Sequence, residues 1–399
     1  MKKHILFLSS DTGGGHRAAA RAIAEAIHQL FPHTCHTHIE DFWRYHTPWP
    51  LNRIPATYPW FTGPGVPLWK LMWFGSMRFG LHQLVPATSP LLYRHAARYL
   101  GQTRPDVVVS VHPFMNHLGL DWLRRQNSTA PFITVVTDLV SVHPLWFAPG
   151  VTRCLVPTEA ARTVALQAGL PPDKVAVCGL PVSLKFAATP QNKQQARRQL
   201  KLLPHKKTVL LLGGGEGHGR LFEIARELAQ TAPHLQLLII AGRNRALKNR
   251  LEAVRWEANT QIHGFVDNMP QFMAAADLLI TKAGPGTLSE AFAMGLPLII
   301  SGFIPGQEAG NVAHVLQNGA GAYAESPAEI ARLAADWLAA DNAALKKMAA
   351  NAARLARPQA ALEIARHIFE LIPPREPVYT APPRLPQPAA GLTSPQWLP

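Results

Sequence analysis

Cysteine is scarce in this chain of 399 residues: Cys35, Cys154 and Cys178 are widely spaced and form no Cys-x-x-Cys pair. That pattern argues against a zinc site or a disulfide framework and fits a reduced compartment. No run of 18 apolar residues occurs, because the best candidate, 68–85, contains Lys70, Arg78 and His82, so nothing is expected to span a bilayer. Met1-Lys2-Lys3 followed by the apolar run 5–8 resembles the start of a signal peptide, yet four apolar residues before Ser9 suit a buried strand better. Acidic residues are also few, 25 Asp and Glu against 39 Lys and Arg, for a net charge of +14. Such a balance points to an anionic partner, whether nucleic acid, a membrane surface or phosphorylated ligands. Glycine and proline lack a collagen-like period, and 47% hydrophobic residues exclude a disordered chain. The length suits two domains.

What is present is an alternation of strands and helices. Apolar runs at 5–9, 107–111, 132–136 and 154–157, then at 208–212, 237–241, 278–281 and 296–300, read as strands. Helical patterns fall between many of them, as at 17–30, 221–231 and 287–294, and 333–371 is Ala-rich and helical by propensity. Continuous apolar strands separated by helices predict parallel sheets covered on both faces. Each half opens with an apolar strand, a glycine loop and a helix: Ile5-Leu-Phe-Leu-Ser-Ser-Asp-Thr-Gly-Gly-Gly-His16, then Val209-Leu-Leu-Leu-Gly-Gly-Gly-Glu-Gly217. The reading is α/β, with two doubly wound domains, 1–188 and 189–372, facing across a cleft and joined by the polar stretch 189–207. A tail at 373–399, with nine prolines in 27 residues, is expected to be extended or disordered.

The first glycine loop, Asp11-Thr-Gly-Gly-Gly-His-Arg17, lets backbone approach a ligand and offers free N–H groups to an anion. It lacks the Gly-Lys-Ser/Thr of a P-loop, which disfavours ATP hydrolysis of that type. Gly13-x-Gly15-x-x-Ala18 with Glu40-Asp41 downstream fits a dinucleotide fingerprint, so an NAD-dependent oxidoreductase is one reading. His16 stands at a helix start, where the dipole disfavours imidazolium and leaves a neutral ring as a general base. Its plainer role is a helix cap or a hydrogen bond to a neighbour. In the second half, the loop 213–217 is placed to cradle a phosphate, and Thr281-Lys-Ala-Gly-Pro-Gly-Thr-Leu-Ser-Glu290 runs from a strand into a helix. Gly284, Gly286 and Thr287 present donors to a diphosphate, and Glu290, one turn on, accepts both hydroxyls of a ribose. Ile304-Pro-Gly-Gln-Glu-Ala-Gly-Asn311 then sets Gln307 and Glu308 on a polar loop suited to sugar hydroxyls. Three such loops in one domain favour a nucleotide site over ordinary turns.

These motifs, together with Ser110-Val-His-Pro113, Val136-Thr-Asp-Leu139 and His143-Pro-x-Trp146, resemble monogalactosyldiacylglycerol synthases and the processive diacylglycerol glucosyltransferases. More distantly they resemble the lipid II-forming N-acetylglucosaminyltransferase, and the likeness runs from about residue 4 to 370. The resemblance implies a GT-B fold, Rossmann-like in both domains, with a nucleotide-sugar donor in the second domain and a lipid acceptor in the first. It implies an inverting transfer of a hexose, galactose favoured over glucose, from a UDP-sugar to diacylglycerol. By motif position His16 is the base, with Asp138 orienting it or sharing its proton. The diphosphate falls to Gly213, Gly214, Gly215, Glu216 and Gly217 with Gly284, Gly286 and Thr287, and the ribose to Glu290. Phe265 and Val266 border uracil, Gln307 and Glu308 face the sugar, and Arg243 and Lys282 complete the donor site. Gly14, Gly15, His112, His143 and Trp146 line the acceptor side. No metal and no cofactor are expected, since Lys282 and helix N-termini can neutralise the leaving UDP.

The stretch 42–105 departs from the family pattern. It holds Arg44, Arg53, Lys70, Arg78, Arg94, Arg98 and Arg104 without one acid, and Trp43, Trp49, Trp60, Trp69 and Trp73 are half of the ten tryptophans. Interleaved aromatic and basic residues suit docking on an anionic membrane; packing into a core and single-stranded nucleic acid are the alternatives. With no nucleic-acid motif in the chain, the expected partners are a UDP-hexose, diacylglycerol and a membrane, the protein being cytoplasmic on the inner face of the cell membrane. A UDP-sugar 2-epimerase and a non-catalytic membrane-binding protein are further readings of the same architecture.

Overall fold

A computed structural model describes residues 2–10, 14–187, 192–215, 217, 219–339 and 342–373. The first sheet contains β1 (Lys3–Ser9), β2 (Cys35–Asp41), β3 (Val107–Ser110), β4 (Phe132–Val135), β5 (Arg153–Val156) and β6 (Val175–Val177), in the order β2-β1-β3-β4-β5-β6. The second contains β7 (Thr208–Leu212), β8 (Gln236–Ile240), β9 (Asn259–His263), β10 (Leu278–Lys282), β11 (Leu298–Gly302) and β12 (Gly321–Tyr323), in the order β12-β11-β10-β7-β8-β9. Every pairing is parallel. All eight predicted strands are present. The four not predicted, β2, β6, β9 and β12, are the sheet edges. An edge strand is covered less completely, so it needs no continuous apolar run; β2 reads Cys-His-Thr-His-Ile-Glu-Asp and buries only Cys35.

The interior strands alternate their side chains between two cores. Ile5, Phe7, Val107, Val109 and Ile133 face the helix Gly15–Leu30 through Ile23 and Ile27. Leu6, Leu8, Val108 and Phe132 face the opposite way, onto Leu118 and Trp122 of the helix Pro113–Arg125. In each sheet the strand order reverses once, between β1 and β3 and between β7 and β10. Loops leaving the C-terminal ends of strands on either side of such a reversal splay apart, and a ligand crevice opens between them. The described parts of the glycine motifs sit there: residues 14–16 after β1, 213–215 and 217 after β7, and 283–287 after β10.

The Ala-rich stretch resolves into three helices, Pro327–Leu338, Ala343–Leu355 and Ala360–Glu370. The last of these departs from the predicted domain division. Ala361, Ile364, Ala365 and Ile368 pack into the first domain's core beside Ile5 and Phe7, and the Phe369 ring stacks on Phe31 with centroids 3.7 Å apart. Pro327–Leu338, by contrast, packs on the second sheet through Ile330 and Ala334. The predicted boundary at 188/189 and the tail from 374 onward lie outside the described residues. Among the described residues no helix is long and apolar enough to cross a membrane.

Ile364 is fully buried between this helix and the first sheet. Ile364→Ala should lower unfolding free energy in urea by about 2–5 kcal/mol, by lost transfer energy and a cavity. Equal stability of variant and wild type would show that the returning helix is not part of that core.

Candidate active site

His16 begins the helix Gly15–Leu30, whose N-cap, Gly14, has φ 77° and supplies no side-chain cap. Only glycine adopts that backbone readily, and the uncapped turn leaves N–H groups available to an anion. The His16 ring is anchored through Nδ1 to Thr137 Oγ1 at 2.7 Å. Its centroid lies 4.8 Å from that of His112, edge to face, and 6.0 Å from that of Trp146. Burial lowers the His16 pKa to about 4, against a smaller opposing hydrogen bond with the Val111 backbone. The neutral ring a base requires is therefore present throughout the physiological range. His112 is lowered well below the usual histidine value by burial and by its neighbour His16.

Asp138, expected beside His16, points elsewhere. It is buried, and its Oδ2 accepts from Trp146 Nε1 at 2.6 Å while Oδ1 accepts from Gln307 Nε2 at 3.1 Å. The residue that touches His16 is Thr137, one position earlier. In the segment that follows β4, Thr137 faces the His16 ring while Asp138 faces Trp146 and Gln307. Burial raises Asp138 to about 6, an effect its two hydrogen bonds reduce. Trp146 is fully buried behind Asp138, so it supports the cleft and does not line it. His143 Nδ1 accepts from Leu145 N at 3.1 Å, and its Nε2 bonds Ser76 Oγ at 2.8 Å.

Across the cleft, the helix Pro285–Ala293 starts at Gly284 without a side-chain cap, which puts Gly286, Thr287 and Glu290 in its first two turns. The Glu290 carboxyl has no hydrogen-bond partner among the described residues, and burial raises it to about 8. An unpartnered carboxyl in this position is suited to accept hydroxyl donors. Lys282 Nζ pairs with Glu308 Oε1 at 2.5 Å, and Glu308 Oε2 accepts from Ile304 N at 2.8 Å. Glu308, predicted to face a sugar, is 2% exposed and pins its own loop to β10. Arg243 N donates to Gly215 O at 2.9 Å, and its guanidinium lies 4.4 Å from the Phe265 ring centroid. A Cβ built on Gly14 would stand 3.7 Å from that guanidinium and one on Gly215 3.4 Å, so Arg243 joins the glycine loops of both domains. Phe265 is half exposed, and Val266 packs on the second domain's core. Glu216 lies outside the described residues, as do Asp11, Thr12 and Gly13.

Glu40, the acid of the dinucleotide fingerprint, is occupied: His38 bonds it at 2.6 Å, His46 at 3.2 Å and Tyr99 at 3.2 Å. Burial alone would raise its pKa, yet the hydrogen bonds from His46 and His38 hold it at about 2. The Glu40 carboxylate is thereby engaged within the first domain, and Asp41 Oδ1 accepts from Arg44 N at 3.1 Å as the cap of the helix Phe42–His46. Away from the cleft, Cys178, Glu363 and His367 bring ligand-type atoms within 4.8 Å of one another. Burial and the adjacent Glu363 carboxylate, to which the thiol donates, push Cys178 up to about 12.

The monogalactosyldiacylglycerol synthase family profile matches residues 16–182, and that of the glycosyltransferase family 28 C-terminal domain matches 208–367. The probable chloroplastic monogalactosyldiacylglycerol synthase of Glycine max is 42% identical over 380 residues, 93% of this chain and 72% of that protein. The monogalactosyldiacylglycerol synthase of Spinacia oleracea is also 42% identical, over 93% of this chain and 73% of its own. Among solved structures, MurG of Acinetobacter baumannii aligns with a TM-score of 0.59 at 16% identity, over 92% of this chain and 99% of its own, and shares the GT-B fold. The two plant relatives are chloroplastic by name, which overturns the expectation of a cytoplasmic protein on the inner face of the cell membrane.

Glu290 ionises near pH 8 in the folded chain and near its ordinary 4.5 when unfolded. Between those values the folded state keeps a proton that the unfolded state has lost, so this group's contribution to stability falls as pH rises. Glu290→Gln should therefore gain on wild type between pH 5 and pH 8, its Tm relative to wild type rising by at least about 2 °C. A difference independent of pH would show that Glu290 ionises normally.

Proposed function

The chain belongs to the monogalactosyldiacylglycerol synthase family, and on that premise we propose that it transfers galactose from UDP-galactose to the free hydroxyl of diacylglycerol, inverting the anomeric carbon. The observation that carries the mechanism is a neutral histidine at one uncapped helix N-terminus, facing a second uncapped N-terminus that leads to an unpartnered glutamate. The acceptor oxygen attacks the anomeric carbon as His16 takes its proton. The bond from that carbon to the diphosphate breaks, and its electron pair leaves with UDP. N–H groups at Gly284–Thr287 and the glycines at 213–217 meet the growing diphosphate charge, aided by Lys282 and Arg243. Glu290 accepts the ribose hydroxyls, Phe265 and Val266 border the base, and Gln307 faces the sugar. Thr137 fixes the His16 ring, and His112 beside it borders the acceptor. The reaction as written draws on no cofactor.

Membrane docking is supported by the surface of the insert. Trp49 is 78% exposed, Phe79 75% and Leu71 70%, and Arg44, Arg53, Lys70, Arg78, Arg94 and Arg98 are exposed around them. Each cation contributes about 1 kcal/mol near an anionic leaflet, and large apolar side chains exposed along one segment suit an interaction surface. The tryptophans divide the work: Trp49 and Trp60 face solvent, Trp43 packs on the first core, and Trp69 and Trp73 turn inward.

Purified protein given UDP-[14C]galactose and vesicles containing diacylglycerol should yield labelled monogalactosyldiacylglycerol; no transfer from either UDP-galactose or UDP-glucose would overturn the assignment. His16→Ala should lower kcat by at least about 100-fold while UDP binding stays unchanged, and full activity would remove His16 from the mechanism. Asp138 must be ionised to accept from both Trp146 and Gln307, so kcat/KM should fall as pH drops through about 6. Asp138→Asn cannot accept at both positions; its activity should be low and flat across that range. A wild-type profile level down to pH 5 would show that the Asp138 bonds do not matter for turnover.

A further inference from the structure

One helix of the insert is apolar on two sides. On Val66–Arg78, Trp69, Trp73 and Ser76 recur on one side at helical spacing, while Leu71, Phe74 and Arg78 share the other. The outer side is bare, with Leu71 70% and Phe74 54% exposed. The inner side reaches the second domain. Trp69 Nε1 donates to the Pro305 carbonyl at 3.1 Å. Gly306, at φ +83°, lies so close beneath Trp73 that a Cβ there would run into the indole. Tyr58, from the neighbouring helix Ile54–Phe61, donates to Gln307 Oε1 at 3.2 Å and meets Trp69 edge to face at 5.9 Å. Three consecutive residues, Pro305, Gly306 and Gln307, are thus each held by an aromatic side chain of the insert. This tripeptide follows β11 and carries Gln307, which crosses to Asp138.

We propose that Tyr58, Trp69 and Trp73 are positioning residues that set the 305–307 loop for the donor's sugar, so that seating the helix's outer side on lipid tightens hexose binding. The inference rests on the docking surface and sugar-facing loop described above and adds a link between them. A single helix carries the lipid-facing and loop-facing residues on opposite sides, so restraining one side restrains the other. The nucleotide and diphosphate fall to other loops, at 213–217 and 284–287, which the insert's aromatic residues do not hold. The coupling therefore acts on the sugar and spares UDP. A loop ordered before the donor arrives loses less freedom on binding, which strengthens affinity without a new contact.

Equilibrium dialysis of the full chain with UDP and with UDP-galactose tests this, with and without phosphatidylcholine–phosphatidylglycerol vesicles free of diacylglycerol, alongside vesicle flotation. Vesicles should tighten UDP-galactose binding about 3- to 10-fold, the range of one hydrogen bond gained or lost, and leave UDP unchanged. Trp69→Phe keeps the ring and removes the donor. It should weaken UDP-galactose by a similar factor with UDP affinity and flotation intact, and Tyr58→Phe should act in the same direction. Leu71→Asp should abolish both flotation and the vesicle effect while binding UDP normally. If the protein floats but its UDP-galactose affinity ignores the vesicles, the coupling is wrong and docking stands. A protein that does not float overturns docking and coupling together. If Trp69→Phe weakens both ligands equally, or neither, the positioning role is wrong.

Discussion

The cleft is organised around a buried carboxylate shared by the two domains. Asp138 accepts from Trp146 within its own domain and from Gln307 of the other. A buried charge left without partners is costly, so the partners on both sides are held where the carboxylate needs them. Trp146 cannot leave the core, Gln307 is held by Tyr58, and His16 rests on Thr137, the residue next to Asp138. Much of the geometry where the 305–307 loop meets the first domain follows from satisfying this one group. A second crossing, Gly310 N to Ser141 Oγ at 2.8 Å, keeps the same loops together.

Much of this was legible in the sequence, for identifiable reasons. Interior strands announce themselves because both faces are buried, so the apolar runs located eight of them. The edge strands β2, β6, β9 and β12 were not legible, since half-exposed positions tolerate the polar residues that β2 displays. Glycine loops were legible because each marks a strand end where the backbone must turn closely, as the positive φ of Gly14, Gly214 and Gly217 shows. Side-chain partnerships were less so. Thr137 and Asp138 are adjacent in one motif, and only the local backbone decides which of them meets His16. Glu40 fitted a ribose-binding acid by spacing, yet its fate was settled by His38, His46 and Tyr99, residues with no motif to mark them.

The insert shows the same division. Its composition, aromatic and basic without acids, described its outer surface correctly in kind. It could not separate the tryptophans that face solvent, Trp49 and Trp60, from those that face the 305–307 loop, Trp69 and Trp73, because all four sit in the same aromatic and basic stretch. A lipid surface and a protein surface both select apolar residues; the partner of each is visible only once the helix has a neighbour. The glycine loops of the second domain are free of such ambiguity, since they present mainly backbone.

The returning helix Ala360–Glu370 has a consequence for how the chain is made. The first sheet is complete after β6, yet the face it shares with the helix Gly15–Leu30 stays partly open until Ile364 and Ile368 arrive from beyond the second domain. During synthesis, part of an apolar face belonging to the first domain must therefore wait, uncovered, for almost 200 further residues to emerge. The two domains are nested in folding order even though they look sequential along the chain. Neither is a module that could be moved intact to another protein by cutting at the linker.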